Sequence, residues 1–363
     1  MLSFGGRACR LRADRCRRTG AGLYLTGSRR NAAALSLTQI GSSKLRAVVF
    51  DRALRFEPNH PDPKPGDEDC VVRVQLAGIC ATDLHIIHGY MSFTGVLGHE
   101  MVGQVVSGAS EWRDKRVVCE INCVCRECEM CLAGLANHCR KRTVLGIDGR
   151  DGCFADLVAV PKRNLYVLPD VISDEEAVFV EPLAAAYQVV AQCAIDGRTN
   201  VCVLGPGRLG LLVAQVLAST GCKLTVIGRN PKKLLLCEKK GIQAIHVDDL
   251  VPRQDRDVVV ECTGSPEGLN IAMQLVRPRG TIVLKTTCAK PGSLNLAPIV
   301  IHEVNLLGSR CGPFPEAINA LARQAVDVRS LISRTFPIDQ ALEAFEAAQN
   351  PDNVKILLKI NPR

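Results

Sequence analysis

Apolar residues fall into two textures along the chain. Up to about residue 170 they come in short runs broken by turn residues: LRAVVF (45–50), VVRVQLAGI (71–79), MVGQVV (101–106), RVVCEI (116–121), FADLVAV (154–160) and LYVLP (165–169). Short, closely spaced apolar segments predict an antiparallel or mixed β domain. The stretch carrying Pro58, Pro61, Pro63 and Pro65 reads as a loop between the first two.

From Asn200 onward the pattern alternates between strand and helix. VCVL (201–204) reads as a strand, GPGRLG (205–210) as a turn and LLVAQVLAST (211–220) as a helix. KLTVIG (223–228) is the next strand, and Pro231 suits the first turn of the helix after it. DVVVEC (257–262), TIVLKT (281–286) and VNLLGS (304–309) continue the series. Apolar strands alternating with helices predict a parallel, doubly wound sheet. Between the textures, Ser173 with Glu176 forms a capping box, and a longer helix runs from about residue 180 to 193. The last segments, ALEAFEAAQ (341–349) and VKILLKI (354–360), read as a helix and a strand that return to the first domain.

Composition changes this picture little. At 363 residues, 47% hydrophobic and 23% charged, the chain has the balance of a globular protein with room for two cores. No apolar run approaches the ~18 residues of a spanning helix, so no membrane segment is expected. The net charge of +8 resides in residues 1–44, where nine basic residues meet only Asp14. The remainder is neutral, which argues against a nucleic-acid partner. Residues 1–43, Arg-rich and nearly free of acids, read as a leader or transit peptide. That reading implies a mitochondrial, or else plastid, location; without it the expectation is cytoplasmic. Eighteen cysteines in a chain this long, six of them within residues 119–139, point to reduced thiols with some metal ligation.

Three motifs carry chemistry. The stretch 79–103, ICATDLHIIHGYMSFTGVLGHEMVG, gathers thiol, hydroxyl, imidazole and carboxylate groups. Cys80 and His99 are candidate ligands of a catalytic zinc, with a carboxylate as third ligand. Zinc would polarise an alcohol and lower its pKa. Thr82 and His85 are placed to move the proton, and His88 is left as a surface or structural residue. Second, Cys125, Cys128, Cys131 and Cys139 have the spacing of a closed, structural zinc site, with Cys119 or Cys123 as substitutes for Cys125. Third, Gly205-x-Gly207-x-x-Gly210 joins a strand to a helix, the context of a dinucleotide-binding turn. The second strand ends in Gly228–Arg229–Asn230, with Lys232 and Lys233 behind, where an NAD site carries a carboxylate. Guanidinium in its place suits a 2′-phosphate, so NADP is expected, with NAD as the alternative. The expected cofactor contacts are Gly205, Gly207, Leu209, Gly210, Arg229, Asn230, Lys233 and Thr263.

Together the phrases AGICATDLH, GHEMVG, CRECEMCLAGLANHC, VEPLA, LGPGRLG and DVVVECTGSPE resemble the zinc-containing medium-chain dehydrogenase/reductase superfamily, the alcohol, sorbitol and threonine dehydrogenases. The resemblance implies a GroES-like, β-rich catalytic domain at 44–185, with a structural zinc lobe at 123–140. It implies a Rossmann domain at 186–314 and a return to the catalytic domain at 315–363. Cys80 and His99 match the zinc ligands, Glu100 the carboxylate beside them, and Glu181 the third-ligand position of the polyol branch. Thr82 and His85 match the proton relay, and the four cysteines match the structural zinc. Three features depart from the family pattern. Asp114–Lys115–Arg116–Val117 stands where Gly-Asp-Arg-Val is usual, Gly228–Arg229 replaces the acid, and Phe93–Thr94 replaces a proline-containing loop. Family habit implies a homodimer or homotetramer.

The expected activity is hydride transfer between a primary or secondary alcohol, polyol or sugar and NADP or NAD. Two other readings compete. A non-catalytic, nucleotide- and zinc-binding sensor or scaffold would show a broken zinc site, yet Cys80, His99 and Glu181 are all present. A zinc-independent reductase would lack both the cysteine cluster and the Cys80/His99 pair.

Overall fold

The computed structural model describes residues 45–287 and 295–361; the expected leader, 1–43, lies outside the described residues. The first part of the chain is built on a seven-stranded mixed sheet. Its centre is the strand Asp69–Ile79, which pairs antiparallel with Glu100–Ser107, Leu157–Pro161 and Lys355–Lys359. Ile332–Pro337 adds a parallel edge beside Lys355–Lys359, so the chain's last strand lies in its first sheet. Val72, Val74, Ala77 and Ile79 of this strand share one buried core with Val105 and Val158, while Leu76 and Val102 belong to the core on the other side. The Phe154 and Phe345 rings meet edge to face at 6.0 Å in the first of these cores.

One expectation is corrected. Residues 53–60 are the strand Ala53–His60, hairpinned to Leu45–Asp51 at Arg52. Pro58 is tolerated because the register shifts there: Leu45 faces His60 and Ala47 faces Glu57, leaving Pro58 without a ladder partner. Proline enters strands only at such irregularities and edges.

The second part is a six-stranded parallel sheet. Its order is Gln243–His246, Lys223–Gly228, Asn200–Leu204, Arg256–Glu261, Val276–Leu284, Asn305–Gly308. The first strand in sequence is central, and the chain winds outward from it in both directions. A crevice therefore opens at the C-terminal ends of Asn200–Leu204 and Arg256–Glu261, where dinucleotides bind in such sheets. The capping box appears as read, with Ser173 and Glu176 bonded reciprocally. Helix Val180–Gln192 is one continuous element that packs on helices Arg208–Ala218 and Phe314–Ala322. The expected boundary at 185/186 thus falls inside a helix that bridges both sheets. No described helix is long and apolar enough to cross a membrane.

Candidate active site and zinc lobe

Strand register brings the site together. Gly78 pairs with Glu100, and on the other side Ile79 pairs with Ile356. The exit of one strand (Cys80), the entry of the next (His99, Glu100) and the entry of the last (Lys355) therefore meet at one sheet end. Cys80 also caps the short helix Ala81–Ile87, its amide donating to Asp83 Oδ2 at 2.8 Å. The sequence reading placed no helix here. Its Cys-x-x-Asp spacing is the local signal, since the residue at N3 folds back on the cap. Thr82 and His85, three apart, share a face of that helix.

A thiol of Cys80, an imidazole nitrogen of His99 and a carboxylate oxygen of Glu100 lie within 4.8 Å of one another. His99 and Glu100 are buried, and Cys80 is half-buried. Asp83, wholly buried, faces His99 Nδ1 with Oδ1 at 3.3 Å, an ion-pair separation without the alignment of a hydrogen bond. Burial acts to lower the His99 pKa, but Asp83 and Cys80 outweigh it and raise the value well above ordinary histidine. Glu100 is ion-paired to Lys355, equally buried. Glu181 stands outside the 4.8 Å set but within its field. Burial pushes its carboxyl up to about 7, Glu100 adds to the rise, and His99 and Lys355 oppose it. Soft sulfur, imidazole and carboxylate, clustered and largely dry, fit a zinc ion with an open position.

The hydroxyl of Thr82 is 3.7 Å from Cys80 Sγ. His85 Nδ1 is buried without a hydrogen-bond partner, and the ring meets Tyr90 edge to face. Burial, then His88 and Arg208, lower the His85 pKa. A neutral imidazole with a free nitrogen is able to accept a proton.

In the cysteine lobe four thiols cluster. Cys125, Cys128, Cys131 and Cys139 place their sulfurs within 4.8 Å of one another, with Cys125 to Cys139 at 3.4 Å and Cys128 to Cys139 at 3.8 Å. Sulfurs around a zinc with bonds of ~2.3 Å sit about 3.8 Å apart, so the set fits a closed tetrahedral site. Backbone amides of Arg140 and Cys131 hold the Cys128 thiol down to about 6, while burial and the neighbouring thiols push Cys131 up to about 12. Cys119 and Cys123 are instead in the core, where burial raises both thiols, Cys123 to about 11.

At the crevice of the parallel sheet, Gly205 has φ of +90°, a left-handed turn that favours glycine. A side chain at Gly210 would collide with the Gly205 carbonyl, whereas one at Gly207 would meet nothing within 4 Å. The turn is closed where it packs and open where a pyrophosphate would rest, at the N-terminus of helix Arg208–Ala218. Leu209 packs against the core. Thr263 takes Glu261 Oε1 through its amide at 2.7 Å and its hydroxyl at 2.5 Å, and its Cα lies against Gly205. Arg229 is exposed at the tip of the second strand. Asn230 is engaged in local hydrogen bonds. Its Oδ1 caps helix Pro231–Glu238 by accepting from the Lys233 amide at 3.2 Å. Its Nδ2 donates to Asp352 at 2.9 Å and Pro351 at 3.2 Å. A capping asparagine spends its oxygen on the helix and leaves less for a ribose.

Asp83 was read only as one of the carboxylates of the stretch 79–103, and two residues of this region escaped the sequence reading altogether: Lys355 and Lys285. The two lysines are buried within otherwise apolar strand segments, VKILLKI and TIVLKT, which was the available signal. Lys285 Nζ donates to the carbonyls of Ala185 and Arg310, each at 2.8 Å, and to Ser309 Oγ at 3.2 Å. Burial pushes its pKa down to about 8. It ties the tips of two strands to the helix bearing Glu181.

Residues 66–170 match the alcohol dehydrogenase GroES-like domain, and residues 209–326 match the zinc-binding dehydrogenase domain. The chain is 28% identical to a sorbitol dehydrogenase of Halalkalibacterium halodurans over 82% of its own length and 93% of that protein's. It is 29% identical to the D-arabitol-phosphate dehydrogenase of Enterococcus avium, covering 90% and 99% respectively. Among solved structures it is similar to a zinc-binding dehydrogenase of Sinorhizobium meliloti 1021 bound to NADP. There the identity is 29%, the TM-score 0.79, and the coverage 87% of this chain and 99% of that one.

Proposed function

The chain belongs to the zinc-containing medium-chain dehydrogenase/reductase superfamily, and on that premise we propose that it interconverts an alcohol and its carbonyl compound, using NADP as hydride carrier with NAD as the alternative. The substrate class is a secondary or primary alcohol, with polyols and sugar alcohols foremost, as in the sorbitol and arabitol-phosphate relatives. The observation that carries the reading is the convergence of Cys80, His99 and Glu100 at one buried sheet end, beside the Thr82–His85 helix face.

Cys80 and His99 would hold the catalytic zinc, with Glu181 as the third protein ligand and Glu100 beside them. Lys355 balances the Glu100 charge in the dry site. Zinc, when bound, supplies Lewis-acid polarisation of the alcohol oxygen. A dinucleotide, when bound, supplies the hydride acceptor. Thr82 receives the hydroxyl proton of the substrate and passes it to His85, which burial keeps neutral near pH 7. The turn Gly205–Gly210 and the open face at Gly207 receive the cofactor phosphates. Cys125, Cys128, Cys131 and Cys139 would hold a second zinc that closes the lobe and takes no part in the reaction. The assembly proposed is a homodimer or homotetramer, and the Arg-rich composition of residues 1–43 supports mitochondrial targeting.

The test is a screen of NADP and NAD reduction by the zinc-loaded protein across simple alcohols, polyols, aldoses and hydroxy amino acids. Turnover that Cys80→Ala abolishes is the expected result. Absence of turnover with every class, in protein holding two zincs per chain, would overturn the reading.

A further inference from the structure

Arg208 is the first residue of the helix that follows the glycine-rich turn, within Gly207–Arg208–Leu209–Gly210. Its side chain does not extend to solvent. It folds inward, donates to the Ala348 carbonyl at the end of helix Ala341–Gln349, and leaves its buried Nε without a partner. Burial pushes its pKa down, and the charges that oppose this are Cys80, Glu100 and Asp83 across the cleft. Among the described residues no carboxylate forms an ion pair with it. A second cation, Lys233, stands close enough that Arg208 is the main charge lowering its pKa, after burial. Asp352, whose charge acts on Lys233, is ion-paired to Lys232.

Arg208 thus stands at a helix N-terminus with a buried, unpartnered Nε, no ion-paired carboxylate among the described residues, open space at the neighbouring Gly207, and the charge of Lys233 acting on the same region. Like charges brought together out of water oppose folding unless an anion joins them. Resting on the dinucleotide reading above, we propose that Arg208, assisted by Lys233, clamps the pyrophosphate that NADP and NAD share. A guanidinium fork suits that group, giving charge-assisted bonds to its oxygens. Cofactor choice is then separated from cofactor grip. Arg229, exposed at the strand tip, reads the 2′ position, and Arg208 holds both dinucleotides alike. Arg208 also spans the two parts of the chain, because it bonds to Ala348 and lies in the field of His85.

The experiment is equilibrium titration of NADPH and NADH, followed by nicotinamide fluorescence, into the full zinc-loaded chain without alcohol. In Arg208→Met the Kd values for both dinucleotides should rise by a similar factor, roughly ten- to a hundredfold. Their dependence on salt should flatten, and Arg208→Lys should recover part of the loss. Arg229→Asp, in contrast, should weaken NADPH alone. A melting temperature lowered in Arg208→Met with both Kd values unchanged would make Arg208 a structural tie to Ala348 and overturn the proposal. Should Arg208→Met not fold, unchanged affinities in Arg208→Lys overturn it equally. A wild type that binds neither dinucleotide overturns the dinucleotide reading and this proposal with it.

Discussion

Asp83 serves His99 and Cys80 at once: one carboxylate oxygen lies 3.3 Å from His99 Nδ1, and the other accepts the Cys80 amide at 2.8 Å. One wholly buried side chain therefore sets a charge against an imidazole nitrogen of one candidate ligand and holds the backbone of the other. Asp83→Asn keeps the shape and removes the charge. Outer carboxylates of this kind contribute roughly 10–100-fold in metal affinity. Dialysis of the variant against a graded chelator should strip one zinc at a correspondingly lower chelator strength, while the second zinc stays. Identical retention of both would show that Asp83 does not support a metal.

The two metal sites should be separable. Cys131→Ser opens the four-sulfur lobe and should remove one zinc and lower the melting temperature. Cys80→Ser should remove the other zinc and the turnover, with a smaller change in melting. Structural zinc contributes directly to folding, whereas an open site contributes mainly to reaction. Metal analysis beside calorimetry measures both. Loss of both zincs from either variant would mean the sites are not independent.

The proton path predicts a pH profile. Burial, with His88 and Arg208, sets His85 below its ordinary 6.5, so it remains a neutral acceptor down to lower pH than a free histidine. The acid limb of kcat/KM for alcohol oxidation should therefore have its midpoint below 6.5. His85→Gln should lower the rate by roughly 10²-fold and remove that limb. An unaltered profile in the variant would take His85 out of the relay.

Cofactor choice should turn on Arg229. Arg229→Asp removes a cation for the 2′-phosphate and restores a carboxylate for ribose hydroxyls, so the NADP/NAD ratio of kcat/KM should fall by roughly tenfold or more. Gly228→Asp is the poorer design, because a side chain there would collide with the Pro206 ring. Should wild-type protein already prefer NAD, the NADP assignment fails.

Lys285 should make stability rise with alkaline pH. Its folded pKa of about 8 lies below the ordinary 10.5, so the unfolded chain holds the proton more tightly. The associated stability is complete above 10.5 and is lost as pH falls through 8. Lys285→Met deletes that dependence. Urea midpoints at several pH values across this window should rise more steeply for wild type than for the variant, and equal slopes would contradict the shift.

Much of this was legible in the residues. Local patterns specify local structure: the capping box at Ser173, the glycine-rich turn after Asn200–Leu204, and four cysteines whose spacing alone allows them to share a metal. Alternation of apolar strands and helices implied a parallel sheet, because only strands buried on both faces read as continuous apolar runs. The strand Ala53–His60 was hidden by its proline, which a register shift accommodates.

What the chain order does not carry is who faces whom across distant strands. Lys355 meets Glu100 because Lys355–Lys359 and Glu100–Ser107 flank the same central strand, 255 residues apart in sequence. Lys285 joins Ala185 and Arg310 for a similar reason, and Arg208 is turned inward by the helix end at Ala348. Residue types and spacing determined the candidate ligands and the glycine-rich turn, since those depend on near neighbours. The counter-charges that tune them depend on strand register and domain packing, and only the tertiary structure decided those.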